Sequence, residues 1–462
     1  MRQALRSLSW LAAGVATFAA CSDAKPTAAP TDAGTPGPEA GGDDTITIGV
    51  NLALTGPGSP AGQPAQQGTR VAQQQINALG GVLNKKVVFE IVDDRTDTAL
   101  TKTLFEGFFR RKLPVVLGPS ASGQATEGQN QAKVAGFPLI SPSASTPVTT
   151  LGEPANERFF FRTAPSHALQ AKAIAIRLFK GIPLGVAGDG GVNVATCRKL
   201  AIITQDDAYG NPIANGITET TKALGGQAPV VIKVPSAPAA SYEAQVAELI
   251  AAKPDCQVIA GFPAVGTVYM RSFKKGIASD TSRDWSTFIS MGSNALKNSD
   301  ALIQARENPA DPTSKSAMDG MYIMNFDLSP KTPQANEFKN VFDVATGADP
   351  KADLPGYSAN QYDAAILAVL AIQRAGTTTD GRKIRDALFD VSRPPGTAYS
   401  PAKLSDALIA LRSGADIDYD GASGPVNFDE YGEVLANFVV FRVQEGGFAE
   451  IKEAGLSPAD LK

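Results

Sequence analysis

From residue 45 onward the chain alternates between short apolar runs rich in β-branched residues and longer segments with apolar positions at helical spacing. Thr45-Ile-Thr-Ile-Gly-Val-Asn-Leu52 reads as a strand. Gln63–Leu79 has helical periodicity and stops at Gly80-Gly81, a C-terminal glycine signal. Val87–Val92 is the next predicted strand, Thr98–Arg110 a helix, Val115–Leu117 a short buried strand, Gly123–Ala135 a helix and Pro138–Ile140 a strand. The series restarts with predicted strands at 199–204, 229–234 and 257–261 and helices at 211–224, 242–252 and 265–275. Four further helices are predicted at 334–345, 359–375, 381–391 and 403–412, and terminal strands at 424–429 and 436–443. Two runs of β-α units predict an α/β fold with two Rossmann-like, parallel-sheet lobes and right-handed crossovers. Such sheets bind ligands beyond the carboxyl ends of their strands.

The first residues follow a different pattern. Arg2 and Arg6 give a positive start, Leu8–Ala20 is apolar or small, and no acid precedes Asp23. That is a secretory signal, too short to span a bilayer. It ends in Phe18-Ala-Ala-Cys21, which resembles a bacterial lipoprotein cleavage box, so residues 1–20 are read as signal peptide and Cys21 as the lipid-bearing N-terminus. An ordinary signal peptide with an incidental cysteine is the alternative. Residues 22–44 are mostly Ala, Gly and Pro, a composition that buries no core, so 21–44 is read as a flexible, lipid-anchored linker. The expected location is the periplasmic face of a bacterial membrane.

Charge and composition narrow the function. With 42 basic and 46 acidic side chains in 462 residues, the formal charge is −4, which supplies no footprint for nucleic acid. A single histidine and three cysteines exclude a His-rich metal centre and leave His167 as the sole base for a Ser-His or Cys-His catalyst. His167 follows Pro165 at the start of a helical run and is read as solvated, not catalytic. No cofactor, no metal and no enzymatic activity are expected. Export places Cys197 and Cys256 in an oxidising compartment; each precedes an apolar run, and if those runs are adjacent parallel strands the pair forms a disulfide. Two buried free thiols are the alternative.

The chemistry-bearing residues fall in loops after predicted strands. Gly118-Pro-Ser-Ala-Ser-Gly-Gln124 and Ser141-Pro-Ser-Ala-Ser-Thr-Pro147 bring hydroxyls and free N–H groups to helix starts, a site for a carboxylate. Ser122 and Ser145 as plain N-caps are the simpler reading of either loop alone. Gly56-Pro-Gly-Ser-Pro-Ala-Gly62 is not a phosphate loop, because its prolines remove donors and no Lys-Ser/Thr follows. Asp93, Asp94 and Asp97 are read as loop and helix-start residues rather than a metal cluster. Ser120 and Ser122 lack the flanks of a nucleophile elbow.

Taken in order, Thr55-Gly-Pro57, Ile76-Asn-Ala-Leu-Gly-Gly81, Asp93-Asp94, Gly118-Pro-Ser-Ala-Ser122, Ser141-Pro-Ser-Ala-Ser145, Phe161-Arg-Thr163 with Gln170, Asp207-Ala-Tyr-Gly210 and Tyr362-Asp-Ala364 form a series. Over residues 45 to about 453 the chain thereby resembles the leucine/isoleucine/valine-binding family of type I periplasmic binding proteins. The resemblance implies two lobes joined by a three-strand hinge with the ligand cleft between them. Lobe one would be 45–164 plus 328–430, lobe two 165–327 plus 431–453, and 454–462 a tail, with insertions at 181–196 and 297–317. It implies a monomer that captures a small polar solute (an amino acid, amide or small carboxylate) by lobe closure and delivers it to an ABC permease in the inner membrane. A ligand-sensing or cell-wall-associated lipoprotein on the same fold is the alternative.

Carried over by resemblance, the carboxylate contacts fall on Ser122, Gly123, Gln124, Ser143 and Ser145. Tyr209 and Phe262 would form an aromatic wall on lobe two. Amino-acid binders of the family often place an acid after a Met-Gly-like turn to hold the ligand's ammonium; here Ser290-Met-Gly-Ser-Asn294 offers Asn294. An amide supplies no counter-charge. The ligands this implies are amides, short carboxylates or aromatic acids in preference to branched-chain amino acids.

Overall fold

The computed structural model describes residues 44–145, 157–183, 194–311, 313–327, 331–444 and 446–461. The expected signal peptide, Cys21 and all but the last residue of the linker lie outside the described residues, as does most of the 181–196 stretch.

Along the first part of the chain run β1 (Thr45–Leu52), α1 (Ser59–Ala78), β2 (Lys86–Asp93), α2 (Thr98–Arg110), β3 (Val116–Leu117), α3 (Ser122–Ala135), β4 (Leu139–Ser141) and β5 (Phe160–Arg162). Their five strands form one parallel sheet in the order β2-β1-β3-β4-β5. Helix α4 (His167–Lys180) and a short antiparallel pair, β6 (Ile182–Pro183) with β7 (Val194–Ala195), lead to the second run. It comprises β8 (Leu200–Gln205), α5 (Gly210–Ala223), β9 (Val230–Val234), α6 (Glu243–Ala252), β10 (Cys256–Ala260), α7 (Pro263–Ser279), β11 (Ile289–Gly292), α8 (Ser299–Gln304) and β12 (Tyr322–Phe326). The chain then adds α9 (Pro333–Thr346), α10 (Ser358–Ala375), α11 (Gly381–Val391), β13 (Thr397–Tyr399), α12 (Leu404–Arg412), β14 (Ile417–Gly421) and β15 (Gly424–Pro425) to the first lobe, and returns with β16 (Phe438–Gln444) and β17 (Gly447–Leu456). The second sheet has the order β17-β16-β12-β11-β10-β8-β9, and only β16 runs against the others, pairing antiparallel with both β12 and β17.

Each sheet is buried on both faces, as helix-covered parallel sheets are. In the first, Ile46, Ile48, Val50 and Leu52 of β1 pack with Val71 and Ile76 of α1 and with Ile366–Ile372 of α10. Its other face meets Phe105, Phe108 and Phe109 of α2 and Ala125 and Ala132 of α3. Around the second sheet, one apolar cluster gathers α4 and α5, and another gathers α6, α7 and α8. Close approach of α1 to α10 depends on Gly68, where a Cβ would meet the Ser358 carbonyl oxygen at 2.1 Å.

Three connections join the lobes: Arg162 to His167, Phe326 to Pro333, and Pro425 to Phe438. They are tied to one another. The Arg162 guanidinium, buried, donates to the Ala144 carbonyl at 3.2 Å and pairs with Glu433 on the third connection. Thr163 Oγ1 donates to the Asn360 carbonyl and Asn360 Nδ2 to the Thr163 carbonyl, both at 2.7 Å.

Two expectations are corrected. Residues after 453 are not a peripheral tail: β17 runs on to Leu456, Leu461 is buried, and Arg177 Nη2 of α4 donates to the Gly455 carbonyl at 2.9 Å. The strand expected at 424–429 is only Gly424-Pro425, because Pro425 has no N–H with which to extend a ladder. No helix among the described residues is long and apolar enough to cross a membrane.

Candidate functional site

The strands of both sheets point their carboxyl ends at one cavity of about 1100 Å³. From the first lobe it is lined by Pro57 and Gly58 after β1, Ser120 and Ser122 after β3, and Ser143 and Ser145 after β4. From the second it receives Tyr209 after β8, Phe262 after β10 and Asn294 after β11. Every one of these loops follows a strand end, the position at which parallel sheets expose free N–H groups.

On the first lobe the two serine loops are knitted together. Ser141 Oγ donates to the Pro119 carbonyl at 2.6 Å and Ser143 Oγ to the Ser120 carbonyl at 2.8 Å. Ser145 Oγ donates to the Ser143 carbonyl at 2.9 Å, while Ser145 N–H reaches Ser122 Oγ at 3.4 Å. Ser120 Oγ accepts from Ala53 N–H at 2.9 Å and so joins the β1 loop to the β3 loop. Gly118 makes the approach possible, since a Cβ there would lie 1.9 Å from the Asn51 carbonyl and its φ is +98°. The hydroxyl protons of Ser143 and Ser145 are thus spent within the loops. The cavity also faces the first turn of α3, whose cap position, Ala121, makes no side-chain bond. Ser122 lines the cavity; Gly123 and Gln124 do not, and Gln124 is buried in α3.

The opposite wall is aromatic. Tyr209 and Phe262 stack with ring centroids 4.5 Å apart. Gln205 aligns their loops: its Nε2 donates to Asp207 Oδ2 at 2.8 Å and its Oε1 accepts from Phe262 N–H at 3.0 Å. Asp207 Oδ1 in turn accepts from the N–H groups of Tyr209 and Gly210, each at 2.9 Å, which caps α5. Behind Tyr209 stands His167, edge-on at 4.7 Å between centroids. The expected solvated histidine is therefore fully buried, because Tyr209 and the Ser145 carbonyl, which accepts His167 N–H at 2.8 Å, close over it. Neither of its ring nitrogens has a hydrogen-bond partner, and burial, with the Arg162 charge, lowers its pKa to about 3.

Asn294 is placed differently from a simple ligand acceptor. Its Oδ1 accepts from the Tyr209 hydroxyl at 2.9 Å, and its Nδ2 donates to the Tyr357 hydroxyl at 2.7 Å. Ser293 Oγ lies 3.0 Å from the Tyr209 hydroxyl. Tyr357 precedes α10, so the Asn294 amide joins the two lobes across the cleft. The sequence reading did not single out Tyr357. It holds a left-handed backbone at φ +66°, and its ring packs on the second lobe's apolar cluster. A strained, non-glycine residue beside a cleft is a mark of function. The signal available beforehand was an aromatic directly after Pro355-Gly356 at a helix start. Tyr362, by contrast, is core, donating to Gln75 Oε1 at 2.5 Å. Asp363 is buried and accepts from Tyr419, Ala422 and Ser423, fixing the loop after β14.

No charged side chain lines the strand-end part of the cavity among the described residues. Its charges belong to the 297–319 segment (Lys297, Asp300, Arg306, Lys315, Asp319) and to Asp353 before α10. Asp93 takes the structural part read for it, with Oδ1 accepting from Leu54 N–H at 2.9 Å and Oδ2 from Thr55 Oγ1 at 2.7 Å. Asp97 caps α2.

Residues 45–447 match a model of the periplasmic binding protein family. The chemotactic signal transduction system substrate-binding protein BasB of Halobacterium salinarum is 25% identical over 408 residues, covering 87% of this chain and 88% of its own. The Leu/Ile/Val-binding protein BraC3 of Rhizobium johnstonii is 24% identical over 76% of this chain and 85% of its own. Among solved structures, the leucine-binding protein LivK of Thermotoga maritima superposes with a TM-score of 0.69 at 20% identity, over 90% of this chain and 99% of that one. Two helix-covered sheets facing one cleft, and a family match that spans nearly all the described residues, place this chain in the leucine/isoleucine/valine-binding family of type I periplasmic binding proteins, solute-binding proteins and not enzymes.

Proposed function

We propose that the protein captures a small solute bearing a carboxylate and lacking an α-ammonium group, and hands it to an ABC permease. The observation that carries this reading is the contrast between the two walls of the strand-end cavity. One presents the first turn of α3, whose cap position, Ala121, makes no side-chain bond. The other is neutral, with the Asn294 amide hydrogen-bonded to two tyrosyl hydroxyls where an amino-acid receptor needs a carboxylate. An ammonium buried there would lose hydration with no counter-charge. Ligand seated on the serine loops would be covered by Tyr209 and Phe262 as the lobes close, lobe one being 45–164 plus 328–430 and lobe two beginning at 165. Ser122, Ser143 and Ser145 shape the seat, while Gly123 and Gln124 act through their backbone.

The reading predicts that benzoate or a short aliphatic carboxylate raises the melting temperature of the purified protein in a concentration-dependent way, and that leucine does so far less. Tyr209→Ala should weaken the response at least tenfold. With Asn294→Asp both tyrosyl hydroxyls can donate to the new carboxylate, so the fold is kept and the preference shifts toward leucine. A wild-type protein that binds leucine as well as its deaminated analogue 4-methylpentanoate would overturn the reading.

Attachment through Cys21, a monomeric state and a Cys197–Cys256 disulfide complete the proposal. The two cysteines are 5.7 Å apart between Cα atoms, Cys197 three residues before β8 and Cys256 at the start of β10, which suits a bridge. A sensing role has one specific support, the description of the BasB relative as part of a chemotactic signal transduction system. A permease that couples to the loaded protein separates transport from sensing.

A further inference from the structure

Lys297 is a cation that the cavity draws onto an aromatic floor. It lies three residues beyond Asn294, at the end of the 3-10 turn Asn294–Leu296, and lines the same cavity. Its ammonium sits over two rings of the β16–β17 hairpin, 4.4 Å from the Phe441 centroid and 5.8 Å from that of Phe448. Both rings line the cavity as well. Lys297 is half-buried, and no carboxylate among the described residues lies within ion-pair distance of it. Asp353, Glu450 and Asp327 act on it only through longer-range attraction. Burial lowers its pKa, the direction expected of a cation short of hydration and of a close anion.

A half-buried ammonium held on apolar faces keeps its three N–H donors and lacks a strong acceptor. The other charges of this stretch differ. Asp300, Lys315 and Asp353 are exposed, and the half-buried Arg306 and Asp319 are of opposite sign and sit on no ring among the described residues, so together they present no single-charge surface. A cavity of about 1100 Å³ also exceeds what a single short acid would fill, sitting at the top of the range for sites that enclose much larger ligands.

We infer that the cleft carries a second anion subsite, formed by Lys297, Phe441 and Phe448, which takes the distal carboxylate of an elongated dicarboxylate. The inference rests on the receptor reading above, in which the first carboxylate is held at the start of α3. The ligand's apolar middle would run past the Tyr209 and Phe262 faces, and its far end would exchange water for the Lys297 ammonium. Such a ligand is distinguished from a monocarboxylate of equal length by the charge it brings to Lys297 alone.

The test is calorimetric titration of the purified protein with matched pairs, hexanoate against adipate and octanoate against suberate. At least one dicarboxylate should bind at least tenfold more tightly than its monocarboxylate partner. Lys297→Met keeps the stem on the two rings and removes the charge, so it should bring the dicarboxylate down to the monocarboxylate level and leave the monocarboxylate unchanged. Lys297→Arg should retain most of the preference. Equal affinities within both pairs, a preference that survives Lys297→Met, or loss of the monocarboxylate in that variant would each overturn the subsite while leaving the receptor reading in place. If neither kind of acid binds the wild-type protein, the carboxylate reading fails and the subsite with it.

Discussion

His167 begins α4, where a positive charge would meet the positive end of the helix as well as the Arg162 guanidinium. Edge-on to Tyr209, and with neither ring nitrogen hydrogen-bonded, it is tolerated only as the neutral imidazole. Its pKa falls from an ordinary 6.5 to about 3 in the folded chain. Between those values the unfolded chain binds a proton that the native chain does not. Stability from this group is therefore complete above pH 6.5 and is lost as the pH falls toward 3, at about 1.4 kcal/mol per pH unit. Urea unfolding at pH 7, 6, 5 and 4 should show the wild type losing ground to His167→Leu over that range. Parallel stability curves for the two proteins would refute the burial of a neutral histidine. The sequence reveals this residue only as a helix start: Ser166 does cap α4, but burial depends on Tyr209 and Ser145, which arrive from distant loops. The same limit explains Asn294. Its place after a Met-Gly turn was readable from neighbours in the chain, whereas its bond to Tyr357 exists only once two lobes face each other.

Elements were legible where local chemistry marks both ends. β1 and α2 have the expected bounds, because β-branched residues fill the one and Asp97 caps the other. α1 starts at Ser59, not Gln63, since Pro60 fits the first turn, where no backbone N–H bond is needed. β11, β12 and β17 escaped notice for other reasons. β11 is four residues containing a glycine, and β17, with Glu450, Lys452 and Glu453, is an edge strand paired only through its hairpin with β16. Packing distances within and between helices give a paired prediction. At Gly68 a methyl group would strike the Ser358 carbonyl at 2.1 Å, so Gly68→Ala must separate α1 from α10 and should cost about 2–3 kcal/mol. At Gly107, inside α2, a Cβ meets nothing within 4 Å, and Gly107→Ala should stabilise by about 0.5–1 kcal/mol. Denaturant midpoints of the two variants should move in opposite directions. Movement in the same direction would mean that helix propensity, not the α1–α10 approach, governs both sites.

At the scale of the whole molecule, the balance between open and closed lobes is set by contacts that exist only when the lobes meet. Tyr357 makes such a contact twice. Its backbone leads into α10 of the first lobe, its ring packs against the second lobe's apolar cluster, and its hydroxyl accepts from Asn294. The hydroxyl still has its own proton to offer an acceptor in the cleft. Tyr357→Phe keeps the ring and removes the cross-lobe hydrogen bond, a change of about 1 kcal/mol in favour of the open form. That is roughly a fivefold shift in the closed-to-open ratio, and it should weaken a carboxylate ligand by a similar factor, chiefly through faster dissociation. Tyr357→Gly relieves the left-handed backbone but removes the ring as well, so it should weaken binding further while leaving the melting temperature of the unliganded protein nearly unchanged. Small-angle scattering and stopped-flow dissociation measure both quantities. Unchanged dissociation in Tyr357→Phe would show that the Asn294–Tyr357 bond persists in both lobe arrangements, and closure would then have to be driven by the stacked Tyr209–Phe262 wall alone.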